Sequence, residues 1–148
     1  MHPITHAAAR PDHAAIINAT SGEQVTYGEL AERVNRFGNA IISLGIQPGE
    51  RLLMVVKDCP QFITLFFGAV KAGIIPVPVN TLMRATDYRY LIDDSECTAL
   101  VYSPEFAEPV EQALSASDFQ PAHVLRTEGA GGFAENMSNA SVALDPLA

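Results

Sequence analysis

Residues 52 to 56 read LLMVV, five apolar residues with no polar one among them. A strand covered on one face alternates apolar and polar residues; a strand covered on both has no need to. This run therefore requires a sheet with something packed against each side. Thr98 to Tyr102, TALVY, repeats the pattern, and Ile74 to Val79 and His123 to Leu125 add two further extended segments.

The stretches between these strands have helical spacing. Thr26 and Glu29 stand in the S/T-x-x-E pattern of a capping box, in which each side chain satisfies a free backbone N–H. Leu30, Val34, Phe37, Ile41 and Leu44 follow at steps of three and four, with Glu29, Glu32, Arg33 and Arg36 off that stripe. Gly45 is placed for a left-handed helix end, and Pro48-Gly49 for the next turn. A second helix is expected over Pro60–Ala72, with Asp58 as its cap and Gly73 ending it. A third starts at Thr86 or Asp87 and runs to Ser95 with Tyr88, Leu91 and Ile92 inward. Ser103-Pro104-Glu105 opens a fourth, whose stripe is Phe106, Val110, Ala113 and Leu114. Two short strands, Ala14 to Asn18 and Gln24 to Thr26, precede them all. Helix and strand then alternate four times, which predicts an α/β fold: a mostly parallel sheet with right-handed crossovers and helices on both faces.

The longest apolar stretch, FITLFFGAVKAGIIPVPV at 62–79, has the length of a membrane span. Prolines at 76 and 78 forbid a continuing helix there. The helical part is about 13 residues, against roughly 20 needed to cross a bilayer. The stretch reads as a buried helix followed by a strand, and no membrane span is expected.

Composition narrows the partners. Nine basic residues against 17 acidic ones give a net charge of −8, the wrong sign for a nucleic-acid footprint or a lipid anchor. Cys59 and Cys97 fit no metal spacing and read as two reduced thiols in a cytoplasmic protein. The N-terminal MHPITHAAARPDH holds His2, His6 and His13 but no further ligand type nearby, and reads as a frayed end. From Thr127 onward the chain is rich in Gly, Asn, Ser and Ala without helical period. The expected division is an α/β unit over 1–126 and a loop or linker over 127–148.

Candidate chemistry is sparse. Gly129-Ala130-Gly131-Gly132 lacks the lysine and Ser/Thr of a phosphate loop. Cys59 stands near a helix start without an obvious histidine partner, and Asp93-Asp94 with Glu96 reads as solvated charge. Of Tyr88 and Tyr90, two apart on a helix, one belongs to the core. Arg84 is the polar residue of most interest. It follows the strand IPVPVN, and ligands of open parallel sheets gather beyond the carboxyl ends of strands.

The pieces TYGEL, LGIQPGERLLMV and FFGAVKAGIIPVPVN resemble the opening of the AMP-forming acyl- and aryl-CoA synthetases, a branch of the adenylate-forming enzymes. NTLMRATDYRYLIDDSECTALVYS is most similar to the benzoate-type ligases, and the resemblance covers roughly 10–126. It implies the N-terminal portion of a large AMP-binding domain, the remainder being supplied by the same polypeptide. The implied reaction joins an aryl or acyl carboxylate to coenzyme A through an acyl-adenylate, with ATP, Mg2+ and CoA. No catalytic residue of that family has a match here, so residues 1–148 alone are expected to be inactive. Some relatives carry an arginine two positions after the asparagine of IPVPVN, where it meets a CoA phosphate. Leu82 holds that position here, and Arg84 is the nearest arginine and the candidate for the role. Two alternatives remain at this stage: a freestanding α/β binding module, and an adenylation domain that loads a carrier protein.

Overall fold

The computed structural model describes residues 4–128, 133–138 and 140–144. A short helix α1 (Ile4–Ala7) leads into a two-stranded antiparallel hairpin, β1 (Ala14–Ile17) and β2 (Gln24–Thr26). Then follow α2 (Tyr27–Ser43), β3 (Arg51–Val55), α3 (Pro60–Lys71), β4 (Ile75–Pro78), α4 (Ala85–Ser95) and β5 (Ala99–Tyr102). A 3-10 turn (Pro104–Phe106) runs into α5 (Ala107–Ala116), and β6 (His123–Arg126) and α6 (Phe133–Ser138) complete the order. Strands β3 to β6 form one parallel sheet in the order β4-β3-β5-β6.

The two faces of that sheet have separate cores. Leu52, Met54, Ala99 and Val101 meet Phe37 and Ile41 of α2 and Leu65 and Ala69 of α3. Leu53, Val55, Leu100 and Tyr102 meet Tyr88 and Ile92 of α4 and Val110 and Ala113 of α5. Every residue of LLMVV is buried, as its continuous apolar character requires. Among the described residues no helix is long and apolar enough to cross a membrane; α3 has 12 residues.

The prolines of β4 have a geometric reason. Ile75 N–H and Val79 N–H donate inward to Glu50 O and Met54 O at 2.8 and 3.1 Å, so positions 76 and 78 present the outer edge. Both are proline, which has no N–H to leave unpaired there. At the opposite edge His123 N–H and Thr127 N–H point inward, to Thr98 O and Tyr102 O. Val124 and Arg126 therefore turn their N–H groups outward.

The caps agree with the sequence in part. Thr26 and Glu29 form the reciprocal box, with Glu29 N–H donating to Thr26 Oγ1 at 3.2 Å and Thr26 N–H to Glu29 Oε2 at 2.8 Å. Gly45 and Gly73 adopt φ of 83° and 77°, conformations that favour glycine, and they end α2 and α3. Asp58 does not cap α3; the N-cap is Cys59, without a side-chain bond. Ser103 is the N-cap of the turn after β5, as expected, but makes no side-chain cap bond; its buried hydroxyl accepts the Lys57 N–H at 3.1 Å. Helix α4 starts at Ala85, one residue before the expected Thr86.

Two stretches depart from their sequence reading. The N-terminal segment is docked, not frayed: Gly28 N–H donates to Pro11 O and Tyr27 N–H to His13 O, both at 2.9 Å, and the His6 and Tyr27 rings lie 5.3 Å apart. His2 lies outside the described residues. Beyond Thr127, the stretch read as loop contains α6, whose Phe133 is 1% exposed and packs on Phe37 at 4.6 Å between ring centroids. Phe133 and Met137, four residues apart, pack on the same core and hold this six-residue helix against it.

Candidate functional site at the carboxyl rim of the sheet

In this strand order the chain reverses direction between β3 and β5. Helix α3 carries it from β3 to β4 on one side, and α4 carries it back to β5 on the other. A crevice at such a reversal, beyond the carboxyl ends of the strands, is where open parallel sheets bind ligands. Four loops form this rim, following β3, β4, β5 and β6.

At the reversal itself the loops after β3 and β5 are tied together. Ser103 N–H donates to Val55 O at 3.0 Å, and Lys57 N–H returns to Ser103 Oγ. Above this tie Lys57 Nζ lies 2.5 Å from Glu105 Oε1 and 3.9 Å from Glu128 Oε1. The hydrogen bond to Glu105 raises the Lys57 ammonium pKa and lowers that of the Glu105 carboxyl. The sequence reading passed over this trio. A signal was present: Lys57 and Glu105 each stand within three residues of a fully apolar strand, and those strands are neighbours.

Arg84 lies on the rim beyond β4, as the N-cap of α4. Its backbone N–H donates to Asp87 Oδ2 at 3.1 Å, and its Nε stands 3.7 Å from the same oxygen. The side chain is 86% exposed, so the guanidinium is free to reach outward. The loop that presents it is held firmly: Leu82 N–H donates to Asn80 Oδ1 at 2.8 Å, and the Tyr88 hydroxyl to Asn80 O at 3.1 Å. Leu82 is 88% exposed. Lys57 and Arg84 therefore differ in availability. The first is neutralised by carboxylates, and the second carries one long ion pair and is open to solvent.

The other candidates have structural roles. Tyr88 is buried and Tyr90 is 66% exposed. Asp93 accepts the Phe119 N–H at 3.0 Å and pairs with Arg89 at 3.5 Å. Glu96 ends α4 with φ of 45°. Cys97 is buried, and burial pushes its thiol pKa up. The Gly129–Gly132 cluster lies outside the described residues. Among the described residues, no group of three His, Cys, Asp or Glu side chains could hold a metal ion.

The family model of the AMP-binding enzymes matches residues 4–144. This chain belongs to the AMP-binding enzyme family. Within that family, it is 37% identical over 123 residues to a 4-hydroxybenzoate–CoA/benzoate–CoA ligase of Rhodopseudomonas palustris, covering 73% of this chain and 23% of the ligase. A benzoate–CoA ligase of Thauera aromatica is 47% identical over 81 residues, 54% of this chain and 15% of that protein. In three dimensions the chain superimposes on a benzoate CoA ligase from Burkholderia xenovorans LB400 with a TM-score of 0.88 at 32% identity, covering 99% of this chain and 29% of the other. The chain thus spans less than a third of each of these proteins. The α/β fold expected from the sequence, a parallel sheet between helices as in the adenylate-forming enzymes, is the fold observed.

Proposed function

We propose that this chain is the N-terminal portion of a longer AMP-forming carboxylate–CoA ligase acting on benzoate or a related aryl acid in the cytoplasm. The observation that carries the reading is similarity to a benzoate ligase along 99% of the chain at 32% identity. In such a reaction a carboxylate oxygen attacks the α-phosphorus of ATP and releases pyrophosphate. The coenzyme A thiolate then attacks the acyl carbon and expels AMP. Residues 1–126 would be the first part of the large AMP-binding domain, and 127–148 would lead toward its phosphate-binding loop.

Within this chain the role open to a side chain is the handling of coenzyme A. Arg84 is exposed, held at its backbone by Asp87, and set at the rim, and it would meet a CoA phosphate. Lys57 would brace the rim through Glu105 and leave no cation for the ligand. Among the described residues no group of three or more His, Cys, Asp or Glu side chains could hold a metal ion. ATP and Mg2+ would be held by the remainder of the polypeptide, and residues 1–148 alone would be inactive.

The test is acid-dependent pyrophosphate release by the complete protein, offered benzoate, 4-hydroxybenzoate and a long-chain acid, with and without CoA. Release and thioester formation with the aromatic acids are expected; no release with any acid would sink the ligase reading. Arg84→Ala should raise the KM for CoA about tenfold, the scale of one charge-assisted contact to phosphate, and leave pyrophosphate release in the absence of CoA unchanged. A wild-type KM for CoA would remove Arg84 from the site. ATP–pyrophosphate exchange by residues 1–148 alone would refute their expected inactivity.

A further inference from the structure

One face of α2 carries Asn35, Gly38 and Asn39, three residues that suit a helix interior poorly. Together they cost about 2 kcal/mol of intrinsic helix stability relative to alanine, and what they touch accounts for them. Asn39 Nδ2 donates to Ser141 O at 2.8 Å and to Ala143 O at 2.9 Å. Asn35 Nδ2 donates to Val142 O at 2.7 Å, and its Oδ1 accepts from Lys71 Nζ at 2.7 Å, which fixes the amide with its donors toward the chain. Between them, a Cβ at Gly38 would come within 2.3 Å of Leu144 Cδ2, so Leu144 fills the space of the missing side chain. Gly68 O and Ala72 Cβ, at 3.2 and 3.7 Å from the same point, complete the notch. Three bonds to consecutive carbonyls read backbone, and one apolar notch reads Leu144.

We propose that Asn35, Gly38 and Asn39 form a dock for the extended segment 141–144, and that they are positioning residues: by fixing this segment on α2 they fix where the rest of the ligase starts. The positioning half rests on the function proposed above; the dock itself does not. The contacts join residues more than 100 positions apart. Helix α6, seated by Phe133 on Phe37, brings the segment to α2, and the dock sets its course from there. The orientation is set too, because Leu144 has one notch to enter.

Asn39→Ala and Leu144→Ala in the complete protein test this. Asn39→Ala raises helix propensity, so α2 itself should not weaken. Losing two carbonyl bonds should expose 140–144 about tenfold more often, read as about tenfold faster cleavage there by a protease selective for small residues. In a complete ligase, kcat for pyrophosphate release should fall severalfold with the KM for CoA unchanged. The isosteric Asn39→Asp keeps the shape and lacks the donors, and should behave as Asn39→Ala. Wild-type cleavage rates in both alanine variants would overturn the dock. Faster cleavage with wild-type kinetics would overturn the positioning role. An unsubstituted protein that releases no pyrophosphate would count against the ligase reading and with it the positioning role, while the cleavage rates still decide the dock.

Discussion

The two faces of the central sheet are closed in different ways. On the face under α2 and α3, the helices approach until Gly38 lies against the Gly68 carbonyl, and Phe37, Leu65, Ala69 and Phe133 fill the space. The closure is a matter of shape. On the face under α4 and α5, the large fillers include Tyr88 and Tyr102, and both carry a polar end to the margin of the sheet. The Tyr88 hydroxyl holds Asn80 O at the start of the Arg84 loop. The Tyr102 hydroxyl donates to Glu111 Oε1 at 2.9 Å and accepts from Arg126 Nε at 2.8 Å. The first face should therefore answer to volume, and the second should transmit changes to the loops at the carboxyl rim.

The largest expected effect breaks the first face. Phe37→Ala removes a fully buried ring that touches both Gly68 and Phe133, and should cost about 3–5 kcal/mol in urea unfolding. A loss below about 1 kcal/mol would mean this face is not close-packed. Gly68→Ala comes next. Its Cβ would stand 2.5 Å from Phe37 Cδ1 and 3.0 Å from Val34 O, and backbone cannot swing aside. Although alanine is the better helix former, a net loss of about 1–3 kcal/mol is expected. A gain in stability would show that α2 and α3 separate easily.

The parts of the fold that were legible in the sequence are those in which one residue type answers one physical demand. LLMVV demanded cover on both sides, and Thr26 with Glu29 demanded a helix start; the structure has both. What stayed hidden depends on partners distant in sequence. Phe133 looked like a lone aromatic in a glycine-rich tail until Phe37 was beside it. Ser103 stands at the N-cap, as its local sequence suggested, yet its hydroxyl serves Lys57, 46 residues away. At the rim, the position of Arg84 beyond β4 was legible because it lies in the short connection between β4 and α4, whereas the pairing of Lys57 with Glu105 required knowing that β3 and β5 are neighbours.

Smaller effects sharpen the second face. Tyr88→Phe keeps the buried ring and removes only the bond to Asn80 O, so about 1 kcal/mol of stability should be lost. If this face transmits to the rim, the same substitution in the complete protein should raise the KM for CoA, through a loosened Arg84 loop. Leu65→Ala, on the other face, should lose more stability and leave that KM alone. Equal effects of the two on the KM would abolish the distinction between the faces.

The smallest effect concerns Glu111, an exposed carboxylate. The Tyr102 hydroxyl first, and Arg126 second, hold its carboxyl below the ordinary glutamate range. A lowered folded-state pKa contributes stability that is complete above the unfolded value and lost as pH falls through the folded one. Glu111→Gln should therefore be slightly less stable than the parent at neutral pH, with the difference closing on the acid side of the ordinary carboxylate range. Salt should shrink the gap, because both charges face water. A difference that persisted unchanged into acid would mean that shape, not charge, links Tyr102 to the helix above it, and the second face would then be closed in the same way as the first.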